Sequence, residues 1–283
     1  MPELAYVNGK ILPIEKAVVP IEDRGYQFAD AVYEGIASYN GNLFYLDAHL
    51  DRLERSMRAL SFPAVSRDRI SEAILELFER AGIARAFIYL QISRGVAPRN
   101  HAFPDAAEVQ LIITIRPVNE IPEKIKKEGA AAVTTRDLRW GRCDVKTVQL
   151  LPNVTAKQKA LEAGAHDAIF VAEDGVVREA TSSNVFIVVK GEAVTHPLTP
   201  RILPGITRAV IIDICKEIDL PVTETFFKVE KLYGADEVFL TGTTTEVLPI
   251  VKVDGRVVGN GLAGPVSKRL LAALQERGNH PVG

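Results

Sequence analysis

The chain has 283 residues, 47% of them hydrophobic and 25% charged, with 34 basic against 36 acidic side chains and a formal net charge of −2. That apolar content excludes disorder, the even charge balance gives no basic field for nucleic acid, and no apolar run reaches the ~20 residues of a membrane span. Two cysteines, Cys143 and Cys215, stand in no metal-ligand spacing, and the first residues carry no basic and apolar leader pattern; together these predict a thiol-reduced, cytoplasmic protein without a metal site.

Turn signals come first in chain order. Asn8-Gly9 separates Ala5–Val7 from Lys10–Leu12, and Asn40-Gly41 separates Ile36–Tyr39 from Leu43–Tyr45. Asn-Gly supplies the positive φ of a type I′ turn, so both read as hairpins. Asp47 reads as the N-cap of a helix whose apolar stripe is Leu50, Leu53, Met57 and Leu60, and Ser66 as the cap of a second with Ile70, Ile74, Leu77 and Phe78 inward. The segments Ala86–Ser93 and Val109–Ile115 have strand composition. From Arg116 to Pro122 two prolines and no periodicity make a stiff connector. It divides the chain into a smaller N-terminal domain over 1–118, a linker over 119–123 and a larger C-terminal domain over 124–283.

In that larger domain, Ala131–Thr135, Ala168–Ala172, Asn184–Val189 and Glu237–Leu240 read as strands. Helices are expected near 153–163, from Gly205 onward, and over about 265–276. Strands cluster before helices instead of alternating with them, so the class is α/β of the α+β type and not a doubly wound dinucleotide fold. No G-x-G-x-x-G or P-loop pattern opens a helix.

Five segments carry candidate chemistry. Leu203-Pro204-Gly205-Ile206-Thr207-Arg208 sets a Pro-Gly turn before a helix, whose first N–H groups and Thr207 hydroxyl suit a phosphate; the alternative is a capped helix without a ligand. Thr241-Gly242-Thr243-Thr244-Thr245-Glu246 is a hydroxyl-rich loop that suits the same anion or satisfies its own backbone. Lys146, alternating with Val145 before an apolar stretch, reads as an inward lysine nucleophile or as a strand-edge charge. Glu179, before Thr181-Ser182-Ser183 and an apolar strand, offers a carboxylate to a buried cationic nitrogen or else closes a turn. Arg99-Asn100-His101 presents two cationic groups on one side of an extended segment, a fork for a carboxylate or plain surface charge.

Taken in order, these blocks resemble the class IV aminotransferases of fold type IV, enzymes that depend on pyridoxal 5'-phosphate. The resemblance runs from the Asn8-Gly9 hairpin to Val251-Lys252-Val253-Asp254-Gly255, through Glu22-Asp23-Arg24-Gly25-Tyr26-Gln27-Phe28, His49-Leu50-Asp51-Arg52-Leu53, Arg142-Cys143-Asp144-Val145-Lys146, Glu179 to Phe186, and Gly205-Ile206-Thr207-Arg208. It implies that Lys146 is the Schiff-base lysine and proton shuttle, and that Glu179 pairs with the pyridine nitrogen. It implies further that Arg52, Ile206, Thr207 and Thr243 hold the phosphate, and that Leu203 packs on the ring. Arg52 is expected on the polar side of its helix, free to reach a ligand.

Within the family, Tyr33 with Arg99 and His101 resembles the carboxylate trap of the D-amino-acid branch, and Trp140 agrees with that branch. The implied reaction is ping-pong transamination of the D-alanine and 2-oxoglutarate type. Branched-chain L-aminotransferases and aminodeoxychorismate lyases are the alternatives on the same fold. The resemblance also implies a homodimer with a shared active site, small amino acids and 2-oxo acids as partners, and neither nucleic acid nor membrane. Ala29 and Ala31 depart from the glycines common at those positions, which bears on substrate range.

Overall fold

The computed structural model describes residues 3–279, and the chain divides into two compact units. One holds the chain up to Asn119 together with Val145–Gln149; the other holds Glu120–Asp144 and the chain from Leu150 onward. The segment 145–149 therefore departs from the unbroken 124–283 stretch expected from sequence. Its backbone joins the first unit because the Tyr33 N–H donates to the Lys146 carbonyl at 3.0 Å and the Val148 N–H to the Ala31 carbonyl at 3.2 Å.

In the first unit β1 (Leu4–Val7) and β2 (Lys10–Pro13) form the expected hairpin. They are followed by α1 (Arg24–Phe28), β3 (Ala31–Tyr39), β4 (Asn42–Leu43), α2 (Leu46–Ala59), α3 (Arg67–Ala81), β5 (Ala86–Ser93) and β6 (Gln110–Pro117). The sheet runs β2-β1-β6-β5-β3-β4, antiparallel at every pairing. Strand alternation puts Val32 and Ile36, Ile88, Leu90 and Ile92, and Leu111, Ile113 and Ile115 on one face. That face packs on Leu50, Leu53 and Met57 of α2 and on Ile70, Ile74 and Leu77 of α3.

The Asn40-Gly41 hairpin forms as expected, with Tyr39 opposite Asn42. Ser66 caps α3, its hydroxyl accepting from the Arg69 N–H. Asp47 is corrected: α2 begins at Leu46 behind Tyr45 in a left-handed conformation, with no side-chain cap. The Asp47 carboxylate instead meets Arg67, which also bridges to Asp51, so it ties the first turn of α2 to the start of α3.

The second unit contains α4 (Glu123–Glu128), β7 (Ala130–Arg136), α5 (Leu151–Glu162), β8 (Asp167–Val171), β9 (Val177–Ala180), β10 (Asn184–Val189) and β11 (Glu192–Thr195). Then come α6 (Ile206–Glu217), β12 (Val222–Glu224), α7 (Val229–Tyr233), β13 (Glu237–Gly242), β14 (Glu246–Val253), β15 (Arg256–Val257) and α8 (Pro265–Asn279). Pairing runs β10-β13-β14-β7-β8-β9, and β9 returns to β10 through Glu179 opposite Asn184. Six strands thus close on themselves, leaving β12, β11 and β15 as attachments. Closure removes the open edges of these strands. Inside lie Ile169, Val185, Ile187, Val238, Leu240, Leu248 and Ile250 in one cluster. The strand-rich core expected here is present; its closure through the short β9 had no sequence signal.

α1 starts with the Asp23 carboxylate accepting the Gly25 N–H, and it stops at Ala29, which adopts φ 56°. A left-handed conformation costs an L-residue roughly 1–2 kcal/mol, whereas glycine takes it freely at some entropic cost to folding. Ala29→Gly should therefore stabilise the protein by about 0.5–1 kcal/mol, read as a raised midpoint in denaturant unfolding.

Candidate functional site

In the first unit the site candidates gather around β3. Alternation sends Tyr33 to one face and Glu34 to the other. Glu34 has no exposed surface. It is met by α2, where His49 and Arg52 stand three residues apart and so share a face. Arg52 Nε donates to Glu34 Oε1 at 2.8 Å and Nη2 to Oε2 at 2.7 Å, while His49 Nδ1 lies 2.7 Å from Oε2. Arg52 is therefore corrected. It lies beside the buried stripe of α2, 2% exposed, and not on the polar side, because the carboxylate on β3 satisfies its guanidinium there.

Burial alone would raise the Glu34 carboxyl, but the Arg52 guanidinium and the His49 hydrogen bond hold it at about 2. Burial pushes His49 down against the opposing Glu34 carboxylate, with the Arg52 and Lys146 charges adding to the fall, and Nδ1 faces a carboxylate oxygen that can only accept while ionised. Lys146 follows directly on this cluster. Its N–H donates to Ser56 Oγ of α2 at 3.2 Å, its carbonyl accepts from Tyr33 of β3, and its Nζ lies 4.1 Å from the centre of the Tyr33 ring. It sits beside the isolated bridge Val32–Thr147, in irregular backbone and not at the end of a strand.

Arg99 and His101 are brought together on the loop between β5 and β6, and both are exposed. The Phe28 ring lies beneath them, 4.4 Å from the Arg99 guanidinium and 5.4 Å from the His101 ring centre.

In the second unit Glu179, Leu203 and the start of α6 converge on Asn184. The Asn184 amide donates to Glu179 Oε2 at 3.1 Å and to the Leu203 carbonyl at 3.0 Å, and the Leu203 N–H donates to the same Glu179 oxygen at 3.0 Å. Arg139, itself braced by Asp137, donates to Glu179 Oε1. Burial pushes the Glu179 carboxyl up despite the opposing Arg139 charge and hydrogen bonds. A further cation against it would bring it back down.

Gly205 is needed where it stands, since a Cβ there would lie 2.1 Å from Asn184 Oδ1. It is also the N-cap of α6, whose first turn, with Ile206 and Thr207, has no side-chain cap. Thr243 lies half-buried in the turn between β13 and β14, and Thr241 Oγ1, in the same hairpin, is buried without a hydrogen-bond partner among the described residues. An uncapped helix start and an orphaned hydroxyl fit a phosphorylated ligand, and Glu179 fits a protonated ring nitrogen.

Sequence reasoning missed Glu34, His49, Arg139 and Asn184. A signal existed for the first two: a carboxylate on the core-facing side of an apolar strand, and a histidine three residues before Arg52. Arg139 and Asn184 had none, because their partners are distant in sequence.

The class IV amino-transferase family model matches residues 31–253. A D-alanine aminotransferase of Bacillus licheniformis is 42% identical over 269 residues, 95% of this chain and 94% of that protein. Another, from Staphylococcus haemolyticus, is 40% identical over 94% of each chain. Among solved structures, a branched-chain amino acid aminotransferase of Thermobaculum terrenum in its PLP holo-form superposes with TM-score 0.85 at 28% identity, covering 98% of this chain and 94% of that one. The chain belongs to the class IV aminotransferases.

Removing the charge from Glu34 leaves Arg52 buried without its counter-ion, so Glu34→Gln should cost about 3 kcal/mol at neutral pH. The unfolded chain protonates Glu34 near 4.5 and the folded one near 2. The wild-type advantage is therefore complete above the first value and is lost as pH falls towards the second. Denaturant unfolding of both proteins from neutral pH to about pH 3 should show the gap narrowing only at the acid end; a gap constant with pH would contradict the ion pair.

Proposed function

We propose that this class IV aminotransferase transfers the amino group of a D-amino acid to a 2-oxo acid, D-alanine and 2-oxoglutarate being the representative pair. The observation that carries the reading is similarity over nearly the whole chain, at 42% and 40% identity, to proteins named D-alanine aminotransferase. The exposed Arg99–His101 loop supports it from geometry.

The cofactor is pyridoxal 5'-phosphate, which supplies an aldehyde to take up the amine and a ring to hold the electron pair left at Cα. Lys146 would hold the cofactor through that aldehyde. Its Nζ would also be the group that takes the substrate Cα proton and gives a proton back, in both half-reactions. Backbone bonds to Ser56 and Tyr33 fix the base of the lysine, so only its side chain moves. Glu179 would pair with the ring nitrogen, and the N–H of Leu203 and the amide of Asn184 aim its carboxylate. The N–H groups of Ile206 and Thr207 and the Thr243 hydroxyl would hold the phosphate, as would Arg52, oriented by Glu34, and Leu203 would pack against the ring.

Tyr33, Arg99 and His101 take the α-carboxylate. Anchoring that group while Lys146 works from one side selects which Cα–H is aligned for removal, and so the configuration. The active form is a homodimer in which the two subunits share each site, and it resides in the cytosol, consistent with two free, buried cysteines.

The likeness to branched-chain enzymes favours a second reading, and half-reaction spectroscopy decides between them. D-alanine should convert the aldehyde absorption to that of the amine form much faster than L-leucine does; the opposite order assigns the branched-chain activity. Release of pyruvate from aminodeoxychorismate without a 2-oxo acid acceptor would instead assign the lyase. Lys146→Ala should lower turnover by at least about a thousandfold with the fold intact, and retained turnover would sink the mechanism.

A further inference from the structure

Arg24 lies under the loop that carries Arg99 and His101. It is 3% exposed, yet most of its hydrogen bonds go to backbone carbonyls and not to a charge. Nη1 donates to the Asn100 carbonyl at 2.6 Å and to the Ala102 carbonyl at 3.3 Å, and Nη2 lies 3.5 Å from the His101 carbonyl. Nε donates to Asp30 at 2.8 Å. Asp30 is shared with Arg94, whose other nitrogens donate to the Leu60 and Ser61 carbonyls behind α2. The Arg24 N–H donates to the Gly95 carbonyl at 2.9 Å, so backbone and side chain of one residue grip both ends of the segment 95–102.

The same short helix supplies the surface on which the two side chains rest. The Phe28 ring is 4.8 Å from the Arg24 guanidinium on one hand and in contact with Arg99 and His101 on the other. Arg99 Nη1 donates to the Gln27 carbonyl at 3.3 Å. An exposed arginine on a loop ordinarily samples many rotamers, a freedom lost at a cost when a ligand fixes it. Here the carbonyls of 100–102 are pinned from below and the guanidinium is held on an aromatic face, so that cost is met in the free protein.

We propose that Arg24 is a positioning residue for the carboxylate-binding pair Arg99–His101, acting through the three carbonyls of 100–102, with the Phe28 ring as the platform on which both side chains are set. The inference rests on the reading of Arg99 and His101 as the carboxylate trap. A guanidinium is required because one planar fork serves Asp30 and the carbonyls together, which an ammonium on a flexible stem does not.

The test uses Arg24→Lys and Phe28→Leu holoenzymes. KM for D-alanine is read beside Ki for propionate, a carboxylate with no amine to react. In both variants KM and Ki should rise together by about tenfold, with kcat changed by less than about twofold and the cofactor absorption unaltered. In an Arg99→Ala/His101→Ala background the Arg24 substitution should add almost nothing, since its effect passes through the two missing side chains. Wild-type KM and Ki in both folded variants would overturn the proposal, as would a full additive effect in that doubly substituted background. If Arg99→Ala itself leaves both constants unchanged, the carboxylate reading has failed and the proposal with it, a result recognisable without either α1 variant.

Discussion

A carboxylate with no exposed surface has to be met at both oxygens, and at Glu34 one helix does so with two side chains. Desolvation of a charge costs several kcal/mol, so β3 tolerates Glu34 between Val32 and Ile36 only because α2 brings Arg52 and His49 to it. The arrangement constrains more than itself. It fixes the rotation of α2 about its axis, which decides that Leu50, Leu53 and Met57 face the sheet and that Ser56 faces the Lys146 backbone. It also leaves Arg52 with a planar, pre-oriented guanidinium.

The second unit repeats the device with the opposite electrostatic outcome. Glu179 too is buried and met by an arginine, yet its carboxyl is pushed up where that of Glu34 is held at about 2. At Glu179 burial is the largest effect and outweighs Arg139, which is divided between it and the neighbouring Asp137. At Glu34 two nitrogens of one guanidinium and an imidazole together outweigh burial. Glu34 thus holds Arg52 and His49 in place. One more positive charge beside Glu179 would bring its carboxyl back down.

What could be read from the sequence follows from how local each determinant is. Both Asn-Gly hairpins, the Ser66 cap, the limits of β5 and β10 and the start of α6 at Gly205 are set by a few adjacent residues, and each stands as expected. The Asp47 cap failed because a distant arginine, Arg67, competes for the carboxylate. Helical periodicity alone puts Arg52 on the polar side of α2, whereas its burial depends on Glu34, a partner across the helix–sheet interface. The return of 145–149 to the first unit, and the closing of the second unit's strand ring by β9, rest on backbone pairings between segments remote in sequence, which no local pattern encodes.

The charge ledger ends in an asymmetry. Arg139, Arg24 and Arg94 each sit against a buried or half-buried carboxylate and are thereby committed to holding structure in place. Arg99 and Lys146, by contrast, have no ion-pair partner among the described residues; each is set against an aromatic ring, Phe28 and Tyr33. A ring face localises a cation without neutralising it. An acidic partner would fix the same side chains equally well but would cover their nitrogens and compete with a ligand carboxylate. Aromatic seating therefore keeps both side chains in place while leaving their nitrogens open to a ligand.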